Sequence, residues 1–352
     1  MIFCITIKKD QYYDDNAKQF IIQNAIQRAT QHRTSIREIH NESYILDHQV
    51  GGKSQDKLPI LAYRLNDWIL KPLHCKDRGF REIAFYEAIQ QALECNDTFS
   101  SDTKSTDIRD SYHDYDLLKE LASFTVPYHG IISTSSQIST THELKTKFHF
   151  LPSNTHLILS DMTKGFYRPN VMDLKIGRKT YEPDATLEKI QSQIQKYPQQ
   201  EQFGFRIVGM RMYKYLNDIH DGEYQTLDKH TCRSFKDSDD IVRVFRSFFN
   251  AQHTHHPLTR NELVLLIQSI IRKLQELYQW FQKNKMYAFY ASSILLVIEG
   301  DMNKLHRDSF DLKMIDFAHV RHHHGGDHDY IHGIVTISSL LERILDIIDI
   351  QN

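Results

Sequence analysis

The sequence is poor in the features that mark secreted, membrane-spanning and nucleic-acid-binding chains. Its 352 residues hold four cysteines, Cys4, Cys75, Cys95 and Cys232. They lie far apart and form no CxxC pair. That argues against a disulfide framework or a zinc ribbon, and for a reducing, intracellular setting, cytoplasmic or nuclear. No apolar run reaches the roughly 18 residues that span a bilayer. The opening MIFCITI meets Lys8, Lys9 and Asp10 too early and in the wrong order for a signal peptide. An excess of one charge is missing as well. Against 45 Asp and Glu stand 43 Lys and Arg, a net charge of −2, which offers no overall attraction to nucleic acid or an anionic membrane. Internal repeats are absent. What is present is ordinary globular composition, 40% hydrophobic and 25% charged, with chain enough for one large enzyme-like unit or two packed lobes. The unusual count is 21 histidines.

The spacing of Ala17, Phe20, Ile21 and Ala25 predicts a helix within residues 14–30. Residues 44–64 read as strand on either side of Gly51-Gly52, a pair suited to a hairpin turn. DWILKPL is a third short strand carrying Lys71. REIAFYEAIQQAL follows as an amphipathic helix opening on Glu82. Many ATP-binding small lobes share this order of strands, lysine and helix. The Ser-, Thr- and Asp-rich stretch 95–113 reads as a surface loop, and 217–240 as an acidic loop. Apolar segments fall at 128–132 and 157–159, and the second runs into SDMTKG (160–165), a lobe boundary. The stretch 261–282 predicts a long core helix. ASSILLVIEG and FDLKMIDFAHV predict two more strands, ahead of a histidine-rich turn and a terminal helix. The mixture is α+β.

Three stretches carry candidate chemistry. In RPNVMDLKIGRKTY (168–181), strand alternation puts Asp173, Lys175 and Gly177 on one face, an acceptor and a cation around one small object. Alone, such a DxK pair is more often a surface ion pair on an edge strand. In MIDFAHV (314–320), Asp316 ends an apolar strand, a position that can hold magnesium or merely cap the next turn. In TLEKIQSQIQKYP (186–198), Ile190, Ile194 and Tyr197 form an apolar stripe, and Lys189, Gln193 and Lys196 line the neighbouring face. That polar face could equally be only solvated. Pro198 ends this helix.

Together, PxxxDxKxG (169–177), SSxL (292–295) and IDF (315–317) resemble the inositol polyphosphate kinase family. HQVGGK (48–53), REIAFYEA (81–88), GFRIVGMRMY (204–213) and DYIHGI (329–334) extend the resemblance from about residue 44 to the C-terminus. It implies a two-lobed kinase-like (ATP-grasp/protein-kinase-like) α+β fold, with an antiparallel sheet in an N-lobe at 44–160. A mixed C-lobe at 161–352 would carry a helical inositol-phosphate-binding insert at about 182–235. Residues 1–43 fall outside the resemblance, as an N-terminal extension.

By the same resemblance, ATP and Mg2+ are the cofactors. Lys71 would meet the nucleotide phosphates, with Glu82 as its helix partner. Ser160 and Met162 would lie at the adenine, although Ser160 stands where the family usually has an acid. Asp173 and Lys175 would serve the transfer itself, and Asp316 would hold the metal with Ser293 nearby. The substrate, a soluble inositol phosphate, would be met by Arg78, Lys175, Lys189, Ser192, Gln193, Lys196, Lys229 and His319. Ser192 departs from the glutamine of the multikinase branch. Residues 164–196 carry seven basic residues against four acids, a net +3 that suits an anionic substrate. EKIQSQIQKYP resembles the multikinases, which phosphorylate ring hydroxyls, while other motifs fit the hexakisphosphate kinases equally well. Either type is expected to act as a monomer without nucleic acid or a transmembrane segment, with a phosphoinositide lipid left open as an alternative substrate. A catalytically silent inositol-phosphate-binding scaffold of this fold is the rival reading. A protein kinase would need an HRD-like loop, and none is present; nor is a Ser-His-Asp or Cys-His arrangement. The histidines of 319–332 read as a mobile loop, a zinc site or a pH-sensitive anion contact.

Overall fold

The computed structural model describes residues 15–31, 43–46, 49, 60–63, 67–74, 77–95, 106–133, 154–215, 222–251 and 257–350. The Gly51-Gly52 turn, HQVGGK apart from Gln49, and the remainder of the first forty residues lie outside these. In chain order come helix α1 (Asp15–Gln31), strands β1 (Ser43–Ile45), β2 (Leu61–Tyr63) and β3 (Trp68–Pro72), and helices α2 (Asp77–Glu94) and α3 (Thr106–Ala122). Strands β4 (Tyr128–Ser133), β5 (Thr155–Ser160) and β6 (Pro169–Ile176) follow, then helices α4 (Leu187–Lys196) and α5 (Gln200–Phe203). Next are β7 (Phe205–Tyr215), β8 (Gly222–Leu227), α6 (Lys229–Cys232), α7 (Ser238–Phe248) and α8 (Pro257–Lys283). The chain closes with β9 (Tyr287–Phe289), β10 (Ser293–Glu299), β11 (Phe310–Ile315), β12 (Val320–His322) and α9 (His328–Ile350).

Two five-stranded sheets carry the fold, in the orders β1-β2-β3-β5-β4 and β11-β10-β6-β7-β8, and each is antiparallel throughout. They are joined where Met314 of β11 forms a parallel bridge with Thr125 and donates its amide to Phe124 O at 2.6 Å. One continuous apolar core runs through both parts. α8 supplies its spine, with Leu263, Leu266, Ile267, Ile270, Leu277 and Phe281 fully buried, as the apolar periodicity demands. Trp280 of α8 donates Nε1 to Leu117 O at 2.8 Å and so fixes α3.

Three expectations need correction. The segment 95–113 is not loop throughout, because α3 starts at Thr106. The segment 217–240 holds β8, α6 and the start of α7, whose caps are Asp228 and Asp237. The acids that suggested a loop are partly helix-capping acids. The helical part of 182–235 is confined to α4, α5 and α6, since β7 and β8 of the second sheet lie within it. A backbone contact fixes α5 against α9: a Cβ at Gly333 would stand 2.3 Å from Gly204 O, and Gly204 itself caps α5 at φ 68°.

Candidate active site

β6 is the middle strand of its sheet, so Asp173 and Lys175 do not form the edge-strand ion pair that their spacing alone would suggest. Lys175 stands opposite Ser293 of β10, and Ser293 opposite Ile315 of β11. Asp316, one residue past β11, therefore reaches the same end of the sheet. Its φ of 66° is left-handed, a conformation that aspartate tolerates better than most residues.

Lys71 of β3 donates to Glu82 Oε1 at 2.6 Å and to Asp316 Oδ1 at 2.5 Å. Glu82 Oε1 also accepts the Phe317 amide at 3.3 Å. One ammonium group thus ties β3, α2 and the turn after β11 together where the two sheets meet. Lys175 donates to Ala291 O at 2.6 Å, from a residue held at φ 54° that directs its carbonyl at the lysine.

Charge at this junction is set by neighbours as much as by burial. Burial opposes the charge on Lys71, yet Asp316 and Glu82 outweigh it and raise its pKa. Burial would likewise raise Asp316, but Lys71 and Lys175 hold its carboxyl at about 2, and 39% of its side chain still reaches solvent. Asp173 is pushed up to about 6 by burial, against the pull of Lys175. Lys175 is lowered by burial, against Asp316 and Asp173. Asp173 Oδ1 and Ser293 Oγ are buried and make no hydrogen bond within the protein, although the hydroxyl lies close enough to favour the ionised carboxylate.

A second group of cations adjoins the first. Arg206 of β7 stands opposite Lys175 and donates to Gln200 Oε1 at 3.0 Å. Gln200 Nε2 in turn donates to Gly177 O at 2.6 Å. Tyr197, just past α4, donates its hydroxyl to Phe235 O at 2.8 Å and so joins the end of α4 to the segment after α6. Burial depresses Lys196, and Arg206, Arg233 and Lys229 push it the same way. Burial and Arg233 bring Arg206 down to about 10. Asp173 attracts Arg206, but among the described residues Lys196, Lys229 and Arg233 make no ion pair with a carboxylate, and cations grouped in this way can receive an anion.

The remaining expected residues divide. Lys189 and His319 meet Glu182, at 3.7 and 3.3 Å, alongside Arg321 at 2.8 Å and Arg81 at 3.4 Å. Burial would raise Glu182, but these neighbours hold it at about 2. Gln193 Oε1 accepts from the Thr180 hydroxyl at 3.5 Å, and Ser192 is exposed on α4. Arg78 is exposed near the start of α2, whereas Arg81 reaches inward to Ala318 O at 3.2 Å. Ser160 ends β5 with its hydroxyl 2.8 Å from His129 Nε2, and Met162 is buried just beyond. The α4 stripe is not core: Ile194 is half exposed, and only Tyr197 is buried. Among the described residues no group of three or more His, Cys, Asp or Glu side chains could hold a metal, and the histidines of 319–332 pack as β12, a turn and the start of α9. Arg206 and Arg81 lie inside GFRIVGMRMY and REIAFYEA without a role read from them, and Arg233 and Glu182 lie outside every quoted motif. Their signal is an isolated charge within an apolar or capped segment, and it acquires meaning only once the strands are paired.

Fold and site define a protein of the kinase-like α+β class. The structure resembles that of an inositol phosphate multikinase from S. cerevisiae in complex with ADP and Mn2+, at TM-score 0.54 and 22% identity, covering 79% of this chain and 99% of that one. The inositol polyphosphate kinase family model matches residues 156–342, and the chain belongs to that family. It is 34% identical over 257 residues to the human inositol polyphosphate multikinase, across 72% of this chain and 51% of that protein. To the Arabidopsis thaliana multikinase beta it is 28% identical over 320 residues, across 86% and 94%. The chain spans about half the length of the mammalian relatives it matches. Among the described residues no helix is long and apolar enough to cross a membrane.

Proposed function

We propose that this chain is an ATP- and Mg2+-dependent inositol polyphosphate kinase of the multikinase type, acting on a soluble inositol phosphate. The first sheet with α2 forms an N-lobe, the second sheet with α4 to α9 a C-lobe, and ATP lies between them. The observation that carries the reading is the convergence of Lys71, Glu82, Asp316, Asp173 and Lys175 where the sheets meet, beside the cations Lys196, Arg206, Lys229 and Arg233.

Phosphoryl transfer needs alignment and fixed positive charge more than covalent help. Lys71, held by Glu82, takes the ATP phosphates, and Ser160 and Met162 flank the adenine. Lys175 lies between the transferred group and the inositol phosphate. Asp173 accepts the proton or hydrogen bond of the acceptor hydroxyl. Lys196, Arg206, Lys229 and Arg233 receive the phosphates already on the ring, with Gln193 and Ser192 at their edge.

The oxygen donors present suit a hard cation. Asp316 stays ionised and partly open, and Asp173 Oδ1 and Ser293 Oγ have no hydrogen-bond partner among the described residues, so these residues would hold Mg2+ and leave its other ligands to phosphate and water. Bound there, the ion would neutralise phosphate charge. The test is a product assay over inositol trisphosphate to hexakisphosphate with ATP, resolved by anion exchange. A more highly phosphorylated product, lost in Lys175→Ala, supports the proposal. Binding without turnover would instead make the chain a scaffold.

A further inference from the structure

α1, ahead of the family-matched residues 156–342, reaches the helix that carries Glu82 through a buried carboxylate, Glu87. α1 buries Ile21, Ile22 and Ala25 in the main core. It lies so close on β4 that a Cβ at Gly130 would stand 2.4 Å from Ala25 O. From its last turn, Arg28 forks onto Glu87 of α2, with Nε to Oε1 at 3.4 Å and Nη2 to Oε2 at 3.2 Å, while Nη1 meets Glu94. The Glu87 side chain is 0% exposed and Arg28 only 15%, whereas Glu94 is 58% exposed.

α2 therefore carries two buried acids on different sides, each matched by a cation from outside the helix. Glu82 faces Lys71, and Glu87 faces Arg28. Packing continues between them. Tyr86, next to Glu87, stacks on Tyr128 at 5.0 Å and meets the ring of Phe317 at 5.2 Å, one residue beyond Asp316. Without Arg28, Glu87 would be a buried charge lacking its counter-ion, and α2 would have to shift to bring it to water or to neutralise it.

We infer that Arg28 is a positioning residue for nucleotide binding: through Glu87 it holds α2 in the placement that presents Glu82 to Lys71. This rests on the kinase reading of the Lys71 site. α1 is then part of the ATP-binding apparatus rather than an appendage to it. Any partner or modification that lifted α1 away would act on nucleotide affinity from the far side of α2.

The test measures binding of a fluorescent ATP analogue to the full chain without inositol phosphate, together with melting temperature. Arg28→Ala should weaken nucleotide binding on the order of tenfold, within the range by which packed networks couple sites. It should leave inositol phosphate affinity unchanged. Arg28→Lys should recover part of the loss, and Glu94→Ala, which removes only the exposed partner, should do nothing. The double variant Arg28→Leu with Glu87→Leu, which leaves no orphaned charge, should bind nucleotide better than Arg28→Ala. Ile344→Ala, in buried α9 away from the site, controls for stability and should melt lower with normal nucleotide affinity. Wild-type affinity in Arg28→Ala would overturn the inference. So would a loss no larger than that of an equally destabilised Ile344→Ala. Failure of the wild-type chain to bind nucleotide would instead overturn the kinase reading.

Discussion

Replacing Arg206 by leucine should make the empty protein more stable and a poorer enzyme. Its pKa falls from an ordinary 12.5 to about 10, through burial and the repulsion of Arg233, against the attraction of Asp173. A drop of that size corresponds to about 3 kcal/mol by which the folded state disfavours the charged guanidinium. The folded pKa is the lower one, so this cost is present in full at pH 7 and is relieved only as pH rises through about 10. Leucine removes it but leaves Gln200 Oε1 without its donor, a loss of about 1 kcal/mol. The net gain is on the order of 1–2 kcal/mol, a rise in Tm of about 2–5 °C. With substrate the sign reverses. A charge-assisted hydrogen bond from a guanidinium to phosphate is worth about 1.5–3 kcal/mol, so KM for the inositol phosphate should rise roughly 10- to 100-fold. KM for ATP should not move. Thermal melts without ligand and steady-state kinetics with each substrate varied in turn read both effects. A lower Tm with unchanged KM would show that Arg206 serves the fold and would refute the reasoning.

Other outcomes follow from the same geometry. Asp316→Asn should lower kcat on the order of a hundredfold, since it removes one fixed charge from the transfer site while keeping its shape; unchanged turnover would sink the assignment. Because Asp173 titrates near 6 and must be ionised to accept a proton, kcat/KM should fall as pH drops below about 6, and Asp173→Asn should lose that acid limb along with most of the rate. Lys196→Ala should raise KM for the inositol phosphate by about tenfold and leave KM for ATP alone. Equal effects on both substrates would remove α4 from the substrate site.

The strands and helices of the site could be read from local pattern, because each motif sits on one element. Apolar alternation marks β6 and β11, a continuous apolar run marks β10, and the lysine of WILKP precedes the helix that carries Glu82. What local pattern cannot supply is which strand lies in the middle. An isolated DxK pair belongs on an edge by default, and only the pairing of β6 with both β10 and β7 makes its lysine internal. Periodicity also misjudges α4. Ile190, Ile194 and Tyr197 make a regular stripe, yet the helix stands off the core and buries only its last member. The loop expected at 95–113 failed because Ser, Thr and Asp are as much at home at helix starts as in turns.

Positive charge alone did not single out the residues that face an anion, and the way acids are distributed explains why. Lys189 and His319 lie where the resemblance places substrate contacts, but both meet Glu182, which also gathers Arg81 and Arg321. A cation that already has a buried carboxylate gains less from a phosphate than one that has none, because the carboxylate must be displaced or shared. Among the described residues Lys196, Lys229 and Arg233 make no ion pair with a carboxylate. The charges of Arg206, Arg233 and Lys229 push Lys196 down, and Arg233 pushes Arg206 down against the attraction of Asp173. An anion bound there would relieve that repulsion, which is why the proposed substrate site is assigned to these four. Glu182 performs a different task. By holding Lys189 of α4, Arg81 of α2 and His319 after β11 on one carboxylate, it fixes the distance between α4 and the turn that carries Asp316. Near-neutral overall charge is therefore compatible with a strongly anionic substrate: the acids are placed where they orient cations, and withheld where cations must bind.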